Sequence, residues 1–130
     1  MGKGCEKSRL ISSMLFGTQV YQHSGSIHIY KSLRDEVNTE YIIDDAYKRG
    51  KNIYFPTPDP YENTATSIVI VPGRKFDRDM TRYGRGGGYY DRFLENSFAI
   101  KIGVCFDNQL CNTLVRQKWD VPMDMIVTEN

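Results

Sequence analysis

The sequence is short of histidine, of pairable cysteine and of long apolar runs, and each shortage closes off a class of function. Its two histidines, His23 and His28, lie far from the three cysteines, Cys5, Cys105 and Cys111. The cysteine number is odd and no Cys-x-x-Cys occurs. Neither a disulfide framework nor a cysteine–histidine metal site is indicated, and the thiols read as reduced, in a cytosolic protein. His23 and His28 read as ordinary helix-end and strand residues. No apolar run approaches the roughly 20 residues of a membrane span. The opening MGKGCEKSRL has no apolar core of the kind a signal peptide carries. It starts like a myristoylation signal, but Glu6 stands where Ser or Thr is wanted. The expectation is a soluble cytoplasmic protein without a membrane partner. Net charge is only +1 over 130 residues, so bulk charge argues for no nucleic-acid partner, and any anion site must come from local clustering. Internal repeats and linkers are also missing, and residues 1–130 read as one domain.

What is there is an alternation of helical and strand patterns. EKSRLISSMLF places Leu10, Ile11, Met14 and Leu15 on one helical face, with Gly17 closing it. Ser26–Tyr30 reads as a strand. NTEYIIDDAYKRG is the clearest helix: Asn38 or Thr39 caps it, Ile42, Ile43, Ala46 and Tyr47 face inward, and Gly50 ends it. NIYFP is a short strand stopped by Pro56. TPDPYENTAT is a turn-rich loop, and SIVIVPG is a continuous apolar run of the buried parallel kind. GYYDRFLEN looks helical, AIKIGVCF is a strand, DNQLCNTLVRQ a helix capped by Asp107 or Asn108, and DMIVTEN a last strand. This is the pattern of an α/β three-layer sandwich: a mostly parallel central sheet with helices on both faces. Ligands of such sheets sit at the carboxyl ends of the strands.

SIVIVPG delivers to that edge the stretch TRYGRGGGYYDRFL, in which four glycines, three tyrosines and three arginines fall within fourteen residues. The surrounding residues 74–92 hold Arg74, Lys75, Arg78, Arg82, Arg85 and Arg92 against Asp77, Asp79 and Asp91. Gly84, Gly86, Gly87 and Gly88 can adopt positive φ and turn successive N–H groups into an anion nest. A helix starting at Gly88 or Tyr89 would add its free N–H groups. Arg82 and Arg85 suit phosphate oxygens, and Tyr89 and Tyr90 suit a flat ring. Asp91 fits beside a phosphate if a divalent cation lies between them. The stretch reads as a nucleotide-phosphate cradle. A merely flexible loop is the plain alternative. An arginine–glycine RNA-binding tract is a weaker one, since the tract occurs once, between a buried strand and an amphipathic helix. GxxxxGK[ST] is absent, and so is GxGxxG in the register of a dinucleotide fold.

IVIVPGRKFDRDMTRYGRGGGYYDRFL resembles the signature of the 5-formyltetrahydrofolate cyclo-ligase family. DEVNTEYIIDDAYKRGKNIYFP, KIGVCFDNQL and WDVPMDMIVTE resemble further family segments in the same order. The resemblance implies an enzyme that joins 5-formyltetrahydrofolate and ATP, with Mg2+, to give 5,10-methenyltetrahydrofolate, ADP and phosphate. It implies ATP contacts from Arg82, Gly84, Arg85, Gly86, Gly87, Gly88, Tyr89 and Tyr90, with Arg85 and Tyr90 as the catalytic candidates. It implies Asp91 and Asp120 as magnesium ligands, and Lys31 and Glu36 against the folate.

Three departures from the family pattern shape the expectation. The family opens with a helix that supplies a Lys and an Arg to the phosphates. This chain begins almost at the next helix, where Lys3, Lys7 and Arg9 are the candidate substitutes. Between FPTPD and SIVIVPG the family carries a longer insert over the pteridine, where PYENTAT here simply bridges; Tyr54, Phe55 and Tyr61 are the candidates to cover part of it. Thr81 stands where a glycine usually precedes the signature arginine. A non-catalytic relative that binds nucleotide or folate is the alternative to a compact enzyme.

Overall fold

A computed structural model describes residues 3–84, 88–118 and 120–130, the side chains of residues 3 and 4 excepted. In chain order the elements are α1 (Lys3–Phe16), α2 (Gln19–His23), β1 (Ser26–Ile29), α3 (Glu40–Lys48), β2 (Asn52–Tyr54), β3 (Ile68–Val71), β4 (Lys75–Asp77), β5 (Arg82–Tyr83), α4 (Tyr89–Glu95), β6 (Ile100–Val104), β7 (Leu110–Cys111) and β8 (Met125–Val127). Five strands form an all-parallel sheet in the order β2-β1-β3-β6-β8. The run IVIV is buried at every position, as a central strand covered on both faces must be.

Strand alternation divides this interior into two cores. Ile27, Ile29, Ile68, Ile70 and Ile102 face one side, where Ile11 and Leu15 of α1 and Ile42 and Ala46 of α3 close over them. Val69 and Val71 face the other, with Phe93 and Leu94 of α4 and Phe76 of β4. The three-layer α/β architecture read from the sequence is therefore the one observed. Each fully buried Ile, Val or Leu contributes about 1.5–3 kcal/mol through removal of apolar surface from water. The helical faces are narrower than the sequence pattern suggests: Leu10, Met14 and Tyr47 are exposed. Thr39 is the N-cap residue of α3 but makes no side-chain capping bond; Asn38 supplies one, its Oδ1 accepting from the Glu40 N–H at 2.9 Å. The Thr39 hydroxyl donates to the Tyr30 carbonyl instead, at 2.8 Å.

The segment DNQLCNTLVRQ is not a helix. One 3-10 turn at Asp107–Gln109 leads into β7, which pairs with β4 through Phe76↔Leu110 and Asp77↔Cys111. The buried Asp77 then takes the backbone a helix would have used. Its Oδ2 accepts from the Leu114 N–H at 2.8 Å, and its Oδ1 accepts from the Asp79 and Thr81 N–H groups, both at 2.9 Å. Those bonds hold its carboxyl below the usual carboxylate range, against the burial that raises it. The small sheet β5-β4-β7 is an addition to the sequence reading. Its β4–β5 turn puts Met80 at φ 67, and Arg116 donates to the buried Thr81 hydroxyl at 2.8 Å.

His28 lies in β1, buried, its ring 4.2 Å from that of Phe93. Burial pushes its pKa down from 6.5 to about 4. The unfolded chain therefore binds a proton near pH 6.5 that the folded chain refuses until about pH 4. Stability is expected to fall as the pH drops through that window, by roughly 2–3 kcal/mol. Denaturant titrations at several pH values check this. His28→Leu should flatten the slope between pH 6.5 and 4, and an unchanged slope would contradict the assignment.

Candidate active site

The chain runs from β1 outward to β2 and then returns past β1 to β3. The strand order thus reverses between β1 and β3, and the crevice outside their carboxyl ends is the natural ligand position of such a sheet. A cavity of about 350 Å³ lies there. Tyr30, Lys31, Leu33 and Glu36 line it from the segment after β1, and Pro72 and Gly73 from the segment after β3. Arg82, Tyr89 and Tyr90 complete the wall. Sequence reasoning missed Tyr30, Leu33, Pro72 and Gly73. Their signal is their place immediately beyond the ends of two apolar strands.

The β1–α3 segment is tied down on both sides. The Tyr30 hydroxyl donates to the Val37 carbonyl at 3.1 Å, and the Asn38 N–H donates to the Ser8 hydroxyl of α1 at 2.9 Å. Within it, Glu36 Oε1 accepts from the Leu33 N–H at 2.7 Å, which fixes the carboxylate at the cavity rim. Lys31 is also at the rim, its Nζ 4.9 Å from the centroid of the Phe55 ring.

Arg82 is the cation built into the wall. Its Nη1 donates to the Pro72 carbonyl at 3.0 Å, and its guanidinium lies 5.3 Å from the Tyr90 ring centroid. Its Nε is buried with no hydrogen-bond partner. A buried, unpaired donor on a cation is expensive unless an acceptor arrives. Gly84 makes the placement possible, since a Cβ there would collide with Nη1 of Arg82. Gly88 does a different job: it takes φ 71 as the residue before α4, a conformation that strains any residue with a Cβ. Burial, with Tyr89 and Glu36 nearby, raises the Tyr90 phenol despite the opposing pull of Arg82. It stays protonated and can donate, not abstract. The Tyr89 hydroxyl accepts from the Thr57 N–H at 3.1 Å, and its ring lies parallel to Phe93 at 6.4 Å.

Two acidic side chains share the field of Arg82. Asp91, in the first turn of α4, and Asp120 both act on its guanidinium, and each other's neighbourhood is acidic. Burial raises the Asp91 carboxyl, Arg82 pulls it down, and Asp120 raises it again. Asp120 Oδ2 also accepts from the Gln117 N–H at 2.7 Å. Among the described residues, no group of three or more His, Cys, Asp or Glu converges. A pair of carboxylates nevertheless suits magnesium, which takes one or two and completes its shell with phosphate oxygens and water.

The other expected residues fall as follows. Arg85, Gly86 and Gly87 lie outside the described residues, as does the side chain of Lys3. Lys7 pairs with Glu129 at 3.6 Å, and neither it nor Arg9 borders the cavity. Nor do Tyr54, Phe55 and Tyr61 line it; Phe55 meets the site through Lys31. Arg74 and Lys75 border a neighbouring cavity of about 340 Å³ with Asp35, Glu36, Gly73, Tyr83 and Gln109. No helix among the described residues is long and apolar enough to cross a membrane.

Known proteins resemble this chain in sequence and in fold. The chain is 26% identical to the 5-formyltetrahydrofolate cyclo-ligase of Mus musculus over 168 aligned residues, covering 95% of this chain and 83% of the mouse protein. That alignment is longer than the chain's 130 residues, so the mouse protein carries segments this chain lacks. The Escherichia coli K12 cyclo-ligase is 24% identical over 140 residues, covering 79% of this chain and 77% of its own. The fold matches a 5,10-methenyltetrahydrofolate synthetase from Mycoplasma pneumoniae with a TM-score of 0.82 at 19% identity, over 100% of this chain and 90% of that one. It matches the Aquifex aeolicus 5,10-methenyltetrahydrofolate synthetase with a TM-score of 0.83 at 24% identity, over 96% and 79%. The model of the 5-formyltetrahydrofolate cyclo-ligase family matches residues 2–66 and 59–129, two stretches that meet in the loop before β3. With nearly every residue accounted for in those two stretches, the chain belongs to the 5-formyltetrahydrofolate cyclo-ligase family.

Proposed function

We propose that the chain is an ATP- and magnesium-dependent ligase that closes 5-formyltetrahydrofolate to 5,10-methenyltetrahydrofolate, releasing ADP and phosphate. The observation that carries this reading is the half-buried Arg82 with its buried, unpartnered Nε, set in a switch-point cavity beside Asp91 and Asp120. Such a cation fits an anionic reactant, and the acidic pair fits the metal that accompanies a triphosphate.

In the reaction the formyl oxygen takes the γ-phosphoryl group, N10 attacks the formyl carbon and loses its proton, and phosphate departs with the former formyl oxygen. The protein needs no nucleophile for this; it must align two reactants and neutralise developing charge. Arg82 and Arg85 do the second job on the phosphate oxygens, with the amides of Gly84, Gly86, Gly87 and Gly88. Tyr90, kept protonated, donates to an oxygen of the reacting centre, and Tyr89 walls the nucleotide side. Asp91 and Asp120 hold the magnesium, which offsets phosphate charge when bound. Glu36 and Lys31 hold the folate, Glu36 by accepting from ring N–H groups.

The test is omission. Purified protein with 5-formyltetrahydrofolate, ATP and magnesium should form the conjugated methenyl product, and leaving out ATP or magnesium should abolish it. Folded protein that forms no product in the complete mixture would leave the non-catalytic relative as the reading. Glu36→Ala is expected to raise the KM for 5-formyltetrahydrofolate roughly tenfold or more, the size of a lost charged hydrogen bond. Glu36→Gln, which keeps an acceptor for the Leu33 N–H, separates folate binding from loop anchoring. An unchanged folate KM in both variants would contradict the role.

A further inference from the structure

Lys31 is exposed at the cavity rim, and a free lysine there would sample many rotamers. It is held. β1 and β2 are parallel neighbours in the register His28↔Tyr54, so the residues just past their carboxyl ends lie side by side. Phe55 follows β2 directly, and its ring sits beneath the Lys31 ammonium at 4.9 Å. The ring itself is half-buried and packed against the core beneath the sheet. Two residues on, the Thr57 N–H donates to the Tyr89 hydroxyl, so the loop leaving Phe55 is fastened to α4. Tyr89 lines the same cavity as Lys31.

We propose that Phe55 is a positioning residue that acts through Lys31: its ring, fixed by the core and by the Thr57–Tyr89 hydrogen bond, holds the ammonium over the cavity mouth for a carboxylate of the folate substrate. This rests on the cyclo-ligase reading above. An aromatic face attracts an ammonium without neutralising it, so the cation stays available to an anion while its entropy is reduced in advance. The short loop in this chain therefore contributes to substrate binding without forming a wall.

Two measurements separate this idea from the reading it rests on. The first needs no turnover. In proton–carbon spectra assigned with Lys31→Met, the Lys31 ε-methylene should lie upfield of the other lysines because of the Phe55 ring current. The displacement should vanish in Phe55→Leu and persist in Phe55→Tyr. An ordinary Lys31 shift in the wild type overturns the proposal. The second is kinetic. Phe55→Leu should raise the KM for 5-formyltetrahydrofolate roughly two- to fivefold, the range of an exposed cation–aromatic contact, with kcat and the KM for ATP unchanged. Phe55→Tyr should restore the wild-type value. In a Lys31→Met background Phe55→Leu should add nothing; an equal effect there, or a change confined to ATP, overturns the proposal. Ring-current displacement in a protein that does not turn over would support the positioning and refute the enzymatic reading.

Discussion

Asp91→Asn is expected to lower turnover about 100-fold or more while the protein melts as the wild type does. Asp91 is half-buried in the first turn of α4, where burial and Asp120 raise its carboxyl and Arg82 opposes them. A carboxylate kept in such a place contributes little to folding, since part of the Arg82 attraction is cancelled by desolvation and by the like charge. The amide removes the charge, keeps the shape and relieves the repulsion from Asp120. On the role proposed for it, what the change removes from function is a negative ligand for the metal, and losses of this kind range from tenfold upward even for groups that only support a ligand. If the defect is one of metal affinity, as the proposed role requires, excess magnesium should restore part of the lost rate. Normal turnover in Asp91→Asn, or a loss indifferent to magnesium, would contradict the metal role. Coincident loss of folding would assign Asp91 to structure.

The second large effect is on stability. Gly103→Ala is expected to destabilise the protein by about 1–3 kcal/mol, the cost of overpacking a filled core. A Cβ at Gly103 would lie 2.5 Å from Cε1 of Phe76 and 3.1 Å from Cδ1 and Cζ. On its other side the Phe76 ring packs closely on the backbone of Gly73, where a Cβ would lie only 2.9 Å from its Cε2 and Cζ, so it has little room to retreat. The ring is fully buried between two glycines, one on β6 and one at the cavity wall. Gly103 also pairs with Val71 in the parallel ladder, so its displacement would strain the centre of the sheet. Chemical denaturation measures the loss. Phe76→Leu in the Gly103→Ala background should recover part of it, since the smaller side chain accepts the methyl group. Full stability in Gly103→Ala would show that the ring has room the packing denies it.

How much of this was legible beforehand depended on how local the cause was. The IVIV strand, α3 and the helix after the glycine stretch are set by composition and spacing within a few residues, and they stand where the sequence places them. The switch-point cavity follows from the order of those elements, and Arg82, Tyr89, Tyr90, Lys31 and Glu36 meet there. The segment after β6 was misread for the opposite reason. Its spacing of Leu110 and Leu114 after a capping Asp107 is helical, but its backbone is captured by Asp77 and by β4, more than thirty residues earlier. The three strands of the small sheet, KFD, RY and LC, are too short to announce themselves in sequence. The contact of Lys31 with Phe55 is equally non-local, since it exists only because a crossover helix makes β1 and β2 neighbours.

The most direct test of the central claim follows one oxygen atom. The substrate is 5-formyltetrahydrofolate labelled with heavy oxygen in the formyl group, incubated with ATP, magnesium and the protein, and the released phosphate is examined by phosphorus NMR. If the cavity aligns the formyl oxygen with the γ-phosphoryl group, methenyl product should appear together with phosphate that carries the label, one heavy oxygen for each ring closed. Product accompanied by unlabelled phosphate, or no product from folded protein, would contradict the account.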